Sequence, residues 1–140
     1  MEWEDCLKTR TAKEKSSDIN LIQSLKESSK NKSESEKLLP LTNITSSTKI
    51  SLSYDSLREL LDSLSISKGY KIYNHECFSA FLKEICKDSD SASKFYSIRQ
   101  IRNKINYYGE KIPLEDTKII LEEISLLKKQ IMTLFNHSSK

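Results

Sequence analysis

Apolar residues recur at helical spacing in three long stretches of the chain, with polar residues between them. The first stretch carries five apolar residues that advance by four, three, four and three positions: Ile50, Tyr54, Leu57, Leu61 and Leu64. This spacing places all five on one face of a helix. Lys68 and Gly69 follow, and we expect the helix to end there because glycine readily adopts the left-handed conformation that closes a helix.

The other two long stretches lie nearer the C terminus. In the second, residues 89–91 (Ser, Asp, Ser) offer caps, Gly109 offers an end, and the apolar face consists of Phe95, Ile98, Ile101, Ile105 and Tyr108. The third begins after Pro113 with Glu115 and Asp116, an order that favours a helix start. Its apolar stripe is Ile120, Ile124, Leu127, Ile131 and Leu134.

Shorter periodic segments complete the pattern. In HECFSAFLKEIC, residues 75–86, one face is formed by Phe78, Phe81, Leu82 and Ile85. Residues 16–18 (Ser, Ser, Asp) offer an N-cap to a helix containing Ile19, Ile22 and Leu25, which we expect to fray into the polar run SSKNKSESEK. Residues 38–48 have the composition of a loop.

These elements predict an all-α fold. The chain has only two glycines and two prolines, so it has few of the residues that form the tight turns of β-hairpins. Its 140 residues, 36% hydrophobic and 31% charged, suit one small globular core. We expect residues 16–137 to form a single up-and-down helical bundle of four longer helices, with residues 1–15 as an N-terminal extension or short helix.

Composition also narrows the function classes. No stretch is apolar enough to span a bilayer and the first residues lack a secretion signal, so we expect a cytoplasmic protein that does not engage a membrane.

The three cysteines, Cys6, Cys77 and Cys86, include no CxxC pair, which favours reduced thiols. His75 stands beside Cys77 without a second ligand pair and is expected to cap or pack at its helix start, while His137 belongs to a polar tail. We therefore predict no metal site and no cofactor.

The charge of the chain is concentrated in its middle segment. The net charge is only +3, but residues 68–112 carry nine basic and five acidic groups. Arg102 lies within this segment, one helical turn from both Ile98 and Ile105. Because burying an unpaired guanidinium costs several kcal/mol, Arg102 must meet a carboxylate, extend to water, or line a cleft that accepts an anion.

The segment RNKINYYG, residues 102–109, resembles the signature of HEPN domains, which are small helical bundles. Their motif is an arginine, usually followed by asparagine or aspartate, with a histidine four to six residues further on; Arg102 and Asn103 match its start. The order of the surrounding segments agrees with the family: LIQSLKES, SYDSLRELLDSLSISKGYK and HECFSAFLKEI precede the motif, and one amphipathic helix follows it.

The resemblance implies a homodimer whose motif helices face one another across a basic cleft, as in metal-independent endoribonucleases. Arg102 would hold a phosphate and Asn103 would orient the cleft. Tyr107 occupies the commonest position of the catalytic histidine, and a phenol with a pKa near 10 is a poor general base near pH 7. Tyr107 could still donate a hydrogen bond to phosphate or stack on a base.

Three hypotheses follow from these residues. The first is a HEPN-like dimer that binds RNA or a nucleotide, resembling the small partner of a minimal nucleotidyltransferase in toxin–antitoxin or defence pairs. Its cleft would contain Arg99, Arg102, Asn103, Lys104, Asn106 and Tyr107. The second is an active ribonuclease in which Tyr107 or Asn106 replaces the histidine, so enzyme activity stays uncertain at this point. The third is a non-catalytic helical module for protein interaction.

Overall fold

The computed structural model describes residues 1–135, so His137 and the predicted domain end at residue 137 lie outside the described part. The elements in chain order are α1 (Trp3–Lys8), β1 (Ala12–Glu14), α2 (Ile19–Leu38), α3 (Ser46–Ser67), β2 (Tyr70–Ile72), α4 (Cys77–Ala80), a π-helical turn (Phe81–Ile85), α5 (Ser89–Tyr108) and α6 (Leu114–Phe135). The predicted all-α class is confirmed. Helices α2, α3, α5 and α6 have 20 to 22 residues, while α1 and α4 are short.

Helix α3 lies at the centre of the fold, packed against α2 and α6. The predicted apolar stripe is confirmed, since Ile50, Tyr54, Leu57, Leu61 and Leu64 are all fully buried. The stripe of α6 from Ile120 to Leu134 is buried as well. Helix α3 ends at Ser67, and Gly69 follows with φ of +96°, as its position predicts.

Helix α2 extends through the polar run to Leu38, so the prediction that it frays was wrong. Its polar side chains are held by α3. Ser29 Oγ lies 3.0 Å from Ser56 Oγ, and Lys32 Nζ lies 2.5 Å from Glu59 Oε2. Asp18 caps the helix as predicted, its side chain accepting a hydrogen bond from the Leu21 N–H.

Two short strands form an antiparallel ribbon that the periodicity did not predict. Ala12 pairs with Ile72, and Lys13 pairs with Lys71. The inward face of the ribbon carries Ala12 and Ile72 into the core, and the outward face carries the two lysines. Residues 1–15, predicted as an extension or a short helix, thus form α1 and β1 and contribute Trp3, Cys6 and Ala12 to the core.

Cys6 and Cys77 form a disulfide that ties α1 to α4, which corrects the expectation of reduced thiols. Their partnership was invisible in the sequence because 71 positions separate them. Both residues are fully buried, whereas Cys86 is a free, half-buried thiol.

Two details of the predicted helices around residues 75–109 also change. The single helix expected over residues 75–86 is α4 followed by the π-helical turn. Asp88, rather than residues 89–91, is the N-cap of α5, and its side chain accepts a hydrogen bond from the Ser91 N–H. Tyr108, predicted on the apolar face of this helix, is 82% exposed, so the buried face of α5 does not extend to it. Within residues 1–135, no helix has the length and apolar character needed to span a membrane.

Candidate anion-binding site on helix α5

Arg102 lies against an aromatic ring of the neighbouring helix. Phe95 and Ile98 fix the N-terminal half of α5 in the core, and Arg99 and Arg102 follow as half-buried residues. The guanidinium carbon of Arg102 is 5.0 Å from the centroid of the Tyr54 ring, a cation–π contact. Tyr54 is itself fully buried and stacks on Phe95 at 5.9 Å, so the ring that supports the guanidinium is rigidly held.

Neither Arg99 nor Arg102 forms an ion pair with a carboxylate of residues 1–135. The sequence left open whether Arg102 meets a carboxylate of its own chain, and among residues 1–135 it meets none. A guanidinium has five N–H donors in a planar fork that matches the oxygens of phosphate or carboxylate. Its donors are therefore free to hold an anion from outside the chain.

His75 completes the group, although sequence analysis expected only a capping or packing residue there. Its Nδ1 lies 3.2 Å from the Tyr54 hydroxyl oxygen, and the tautomer of His75 decides which of the two atoms donates. The ring also packs 6.0 Å from Phe78. Tyr54, His75 and Arg102 therefore come from three separate segments of the chain and meet at one place.

A third arginine contributes charge to this place. Arg58 lies one turn beyond Tyr54 on α3, and its Nη1 is 3.1 Å from Asp62 Oδ2. Burial, together with the smaller effects of the Arg58, Arg102 and Arg99 charges, lowers the pKa of His75 to about 4. Burial likewise raises the pKa of Tyr54 to about 12, against the opposing charges of Arg102 and Arg99.

These shifts define the state of the site near pH 7. His75 is neutral and Tyr54 is protonated, so the charge of the site comes from the arginines. An anion bound beside them would offset their charge and raise the pKa of His75 toward its ordinary value. With a pKa of about 4, His75 is poorly matched to general-base catalysis near pH 7, whereas anion binding requires no proton transfer.

The other predicted site residues lie on a neighbouring face of α5. A surface depression of about 500 Å³ is lined by Gln100, Asn103, Lys104, Tyr107 and Tyr108. Tyr107 is 73% exposed there, and Arg102 is not part of the lining. Asn106 is exposed one turn beyond Arg102. Within the described chain, the structure groups Arg99 and Arg102 with Tyr54 and His75, and it groups Asn103 and Lys104 with Tyr107.

Sequence reasoning missed Tyr54, Arg58 and His75 as members of this site. Tyr54 was assigned to the core, which is correct for its burial but ignores the cation on its ring face. The four-residue spacing of Tyr54 and Arg58 was a usable signal, since it puts a cation beside an aromatic on one helix face. No local signal linked His75 to either residue.

His75 is not part of a possible metal site in the described part of the chain. Among residues 1–135, no group of three or more His, Cys, Asp or Glu side chains is arranged to hold a metal ion, and Cys77 is occupied by its disulfide.

Comparison with known proteins identifies no relative: no protein-family model matches the chain, and neither curated proteins nor solved structures include a significant match.

Proposed function

We propose that the protein binds RNA or a nucleotide through the cationic face of α5, as a HEPN-like dimer. The observation that carries the proposal is the half-buried Arg102, which rests on the Tyr54 ring and has no carboxylate partner among residues 1–135. Arg99 lies one turn away, so two guanidinium groups share this face. Like charges this close on a helix are destabilising, and phosphate oxygens would relieve that repulsion.

A fluorescence anisotropy titration with a labelled, unstructured single-stranded RNA tests the proposal. We expect Arg102→Gln to weaken binding about 10-fold or more, because a charge-assisted hydrogen bond contributes about 1.5–3 kcal/mol. Lys129→Gln is the matched control, since it removes one exposed cation from α6 and should leave affinity unchanged. Equal affinity of Arg102→Gln and the wild type would contradict the proposal.

The salt dependence separates binding from the third hypothesis, a helical module without an RNA function. Several phosphate contacts require affinity to fall steeply as salt rises from about 50 to about 200 mM. Arg99→Gln and Lys104→Gln should each reduce this slope without changing sequence preference. A flat response would favour the interaction module.

Ribonuclease activity is the second candidate. The RNKINYYG motif has no histidine, but His75 supplies an imidazole near the arginines. Incubation of labelled RNA with the protein and EDTA tests it directly. Cleavage that is lost in both Arg102→Gln and His75→Asn would assign the chemistry to this group, while cleavage lost in Tyr107→Phe would assign it to the motif tyrosine. Intact RNA in the wild-type reaction would exclude both versions.

The dimer belongs to the same proposal. Ile101 and Ile105 are only partly buried at the edge of the core, which leaves apolar area on α5 for a second copy. Sedimentation should therefore give about twice the 16.2 kDa of one chain. The cytoplasmic location and the pairing with a nucleotidyltransferase in a toxin–antitoxin or defence system rest on the sequence resemblance alone.

A further inference from the structure

The outward face of the two-stranded ribbon presents an exposed aromatic ring with two lysine side chains close to it. Tyr73 follows β2 and is 59% exposed. Lys13 Nζ lies 5.4 Å from the centroid of its ring, and Lys71 Nζ lies 5.9 Å from it. The backbone N–H of Tyr73 donates a hydrogen bond to the Thr11 carbonyl, so the ring stands on an ordered extension of the ribbon.

The two lysines are placed unfavourably for the ribbon itself. Lys13 and Lys71 are directly opposite in the strand register, and like charges at such positions destabilise a pair of strands. Neither lysine forms an ion pair with a carboxylate of residues 1–135. A short ribbon that carries two opposed cations and an exposed ring is suited to a partner with both negative charge and flat apolar faces.

The ribbon is followed closely in the chain by a residue of the α5 site. Tyr73 is two residues from His75, so their Cα atoms are at most about 7 Å apart. His75 is hydrogen-bonded to Tyr54, whose ring lies under the Arg102 guanidinium. The segment that carries the ribbon tyrosine is thus linked to the Arg102 contact through His75 and the Tyr54 ring.

A second connection runs along α3. Tyr54, Arg58 and Asp62 are spaced by four residues on one helix face, which spans about 12 Å along the axis. Asp62 is paired with Arg58, and burial raises the pKa of Asp62 against the opposing charges of Lys71 and Arg58. Lys71 of the ribbon thus acts on the same carboxylate that Arg58 pairs with.

We infer that Tyr73, Lys13 and Lys71 form a second contact surface for single-stranded nucleic acid, with a base stacked on Tyr73 and phosphates held by the two lysines. This inference rests on the proposed function of the α5 site and extends it, because it specifies a single strand long enough to reach both places. Stacking on an aromatic side chain accepts any base, and lysine contacts the backbone, so the surface binds without sequence preference. A duplex keeps its bases stacked inside and cannot use Tyr73 in this way.

The test is an anisotropy titration with a labelled single-stranded RNA of about ten nucleotides, a length within the range of known single-strand sites. We expect Tyr73→Ala to weaken binding roughly 5- to 150-fold, the range found for loss of one stacked base. Tyr73→Phe keeps the ring and should bind as the wild type does. Tyr96→Ala is the matched control, because Tyr96 is an exposed tyrosine that lies on α5 rather than the ribbon.

Lysine variants provide an independent measurement. Lys71→Gln should weaken binding and lower the slope of log affinity against log salt by about 1, as the loss of one phosphate contact does. Lys129→Gln should change neither quantity. All of these side chains are partly or fully exposed, and the melting temperature of each variant reports whether it has folded.

The outcomes separate this inference from the proposed function. If Arg102→Gln weakens binding while Tyr73→Ala and Lys71→Gln do not, the ribbon surface is overturned and the α5 site stands. If only the ribbon variants weaken binding, the ribbon contact stands and the proposed function of α5 fails. If duplex RNA binds as tightly as single-stranded RNA, and Tyr73→Ala weakens neither, the single-strand assignment is overturned. Tyr73-dependent sedimentation with phosphatidylserine vesicles, with no RNA binding, would overturn it in favour of a membrane surface.

Discussion

Partly buried cations in two regions of the described chain differ in whether a carboxylate meets them. Between α2 and α3, Lys49 Nζ lies 2.7 Å from Glu36 Oε2 and also donates to the carbonyls of Glu36 and Leu39. On α5, Arg99 and Arg102 meet no carboxylate of the described chain, and Arg102 rests on Tyr54 instead. The first arrangement satisfies its cation within the fold. The second leaves guanidinium donors available to an external anion.

The largest expected effect follows from removing the satisfied cation. Lys49→Met would leave the largely buried Glu36 carboxylate without its cation and the Leu39 carbonyl without the Lys49 donor, so we expect the free energy of unfolding to fall by about 3–5 kcal/mol. Urea denaturation measures this loss. Lys129→Met, which removes an exposed lysine, is the control and should not move the midpoint.

A double variant shows whether the loss arises from the unpaired charge. Combining Lys49→Met with Glu36→Leu removes both ions, and apolar replacement of a buried pair is often neutral or stabilising. We therefore expect the double variant to recover part of the stability. If Lys49→Met alone had no effect, the contrast between the two regions would not hold.

The next largest effect is the stabilisation that bound RNA should give through Arg99 and Arg102. Single-stranded RNA at about 100 times its dissociation constant should stabilise the wild type by about 2.7 kcal/mol, because it binds only the folded state. The double variant Arg99→Gln, Arg102→Gln should gain much less. Thermal unfolding with and without RNA gives both values, and an equal gain in the two proteins would place the binding elsewhere.

The two regions also differ in what the sequence could reveal. The stripes of α3 and α6 were predictable because helical periodicity is a local property, and each stripe contains five correctly spaced apolar residues. The persistence of α2 through its polar run was not predictable from spacing, since the contacts of Ser29 and Lys32 on α3 are with residues 27 positions away.

The candidate site was predictable only in part, for the same reason. Arg102 stood out because a cation interrupts an apolar stripe on its own helix. The contact of His75 with Tyr54 joins residues 21 positions apart through packing that no spacing encodes. The ribbon was missed because strands of three residues are too short to show an alternating pattern.

A pH titration measures the cost of protonating His75, which burial and, to a smaller extent, the neighbouring arginines oppose. The pKa of His75 is about 4 in the folded state, below its value of about 6.5 in an unfolded chain, so the unfolded state binds the proton first. Stability from this group is fully present above about pH 6.5 and is lost as the pH falls toward about 4. Protonation of His75 changes the free energy of unfolding by at most about 1.4 kcal/mol per pH unit, and solvent around the half-exposed ring reduces this value.

His75→Asn separates this contribution from the carboxylates that also titrate in acid. The difference in unfolding free energy between wild type and variant should shrink between about pH 6.5 and pH 4 and then stay constant. A difference that grows on acidification would mean that the folded protein favours the imidazolium. That result would require an acidic group beside His75.

The smallest expected effect is the loss of Arg102 itself. Arg102→Met removes a cation–π contact of about 0.5–1 kcal/mol but also relieves repulsion from Arg99, so stability should change by less than about 1 kcal/mol. The pKa of His75 should rise in this variant, because Arg102 is one of the charges that lower it. NMR titration of the imidazole measures that rise, with Lys129→Met as the control. A loss as large as that of Lys49→Met would show that the fold depends on the Arg102 guanidinium, and its donors would then not be free for an anion.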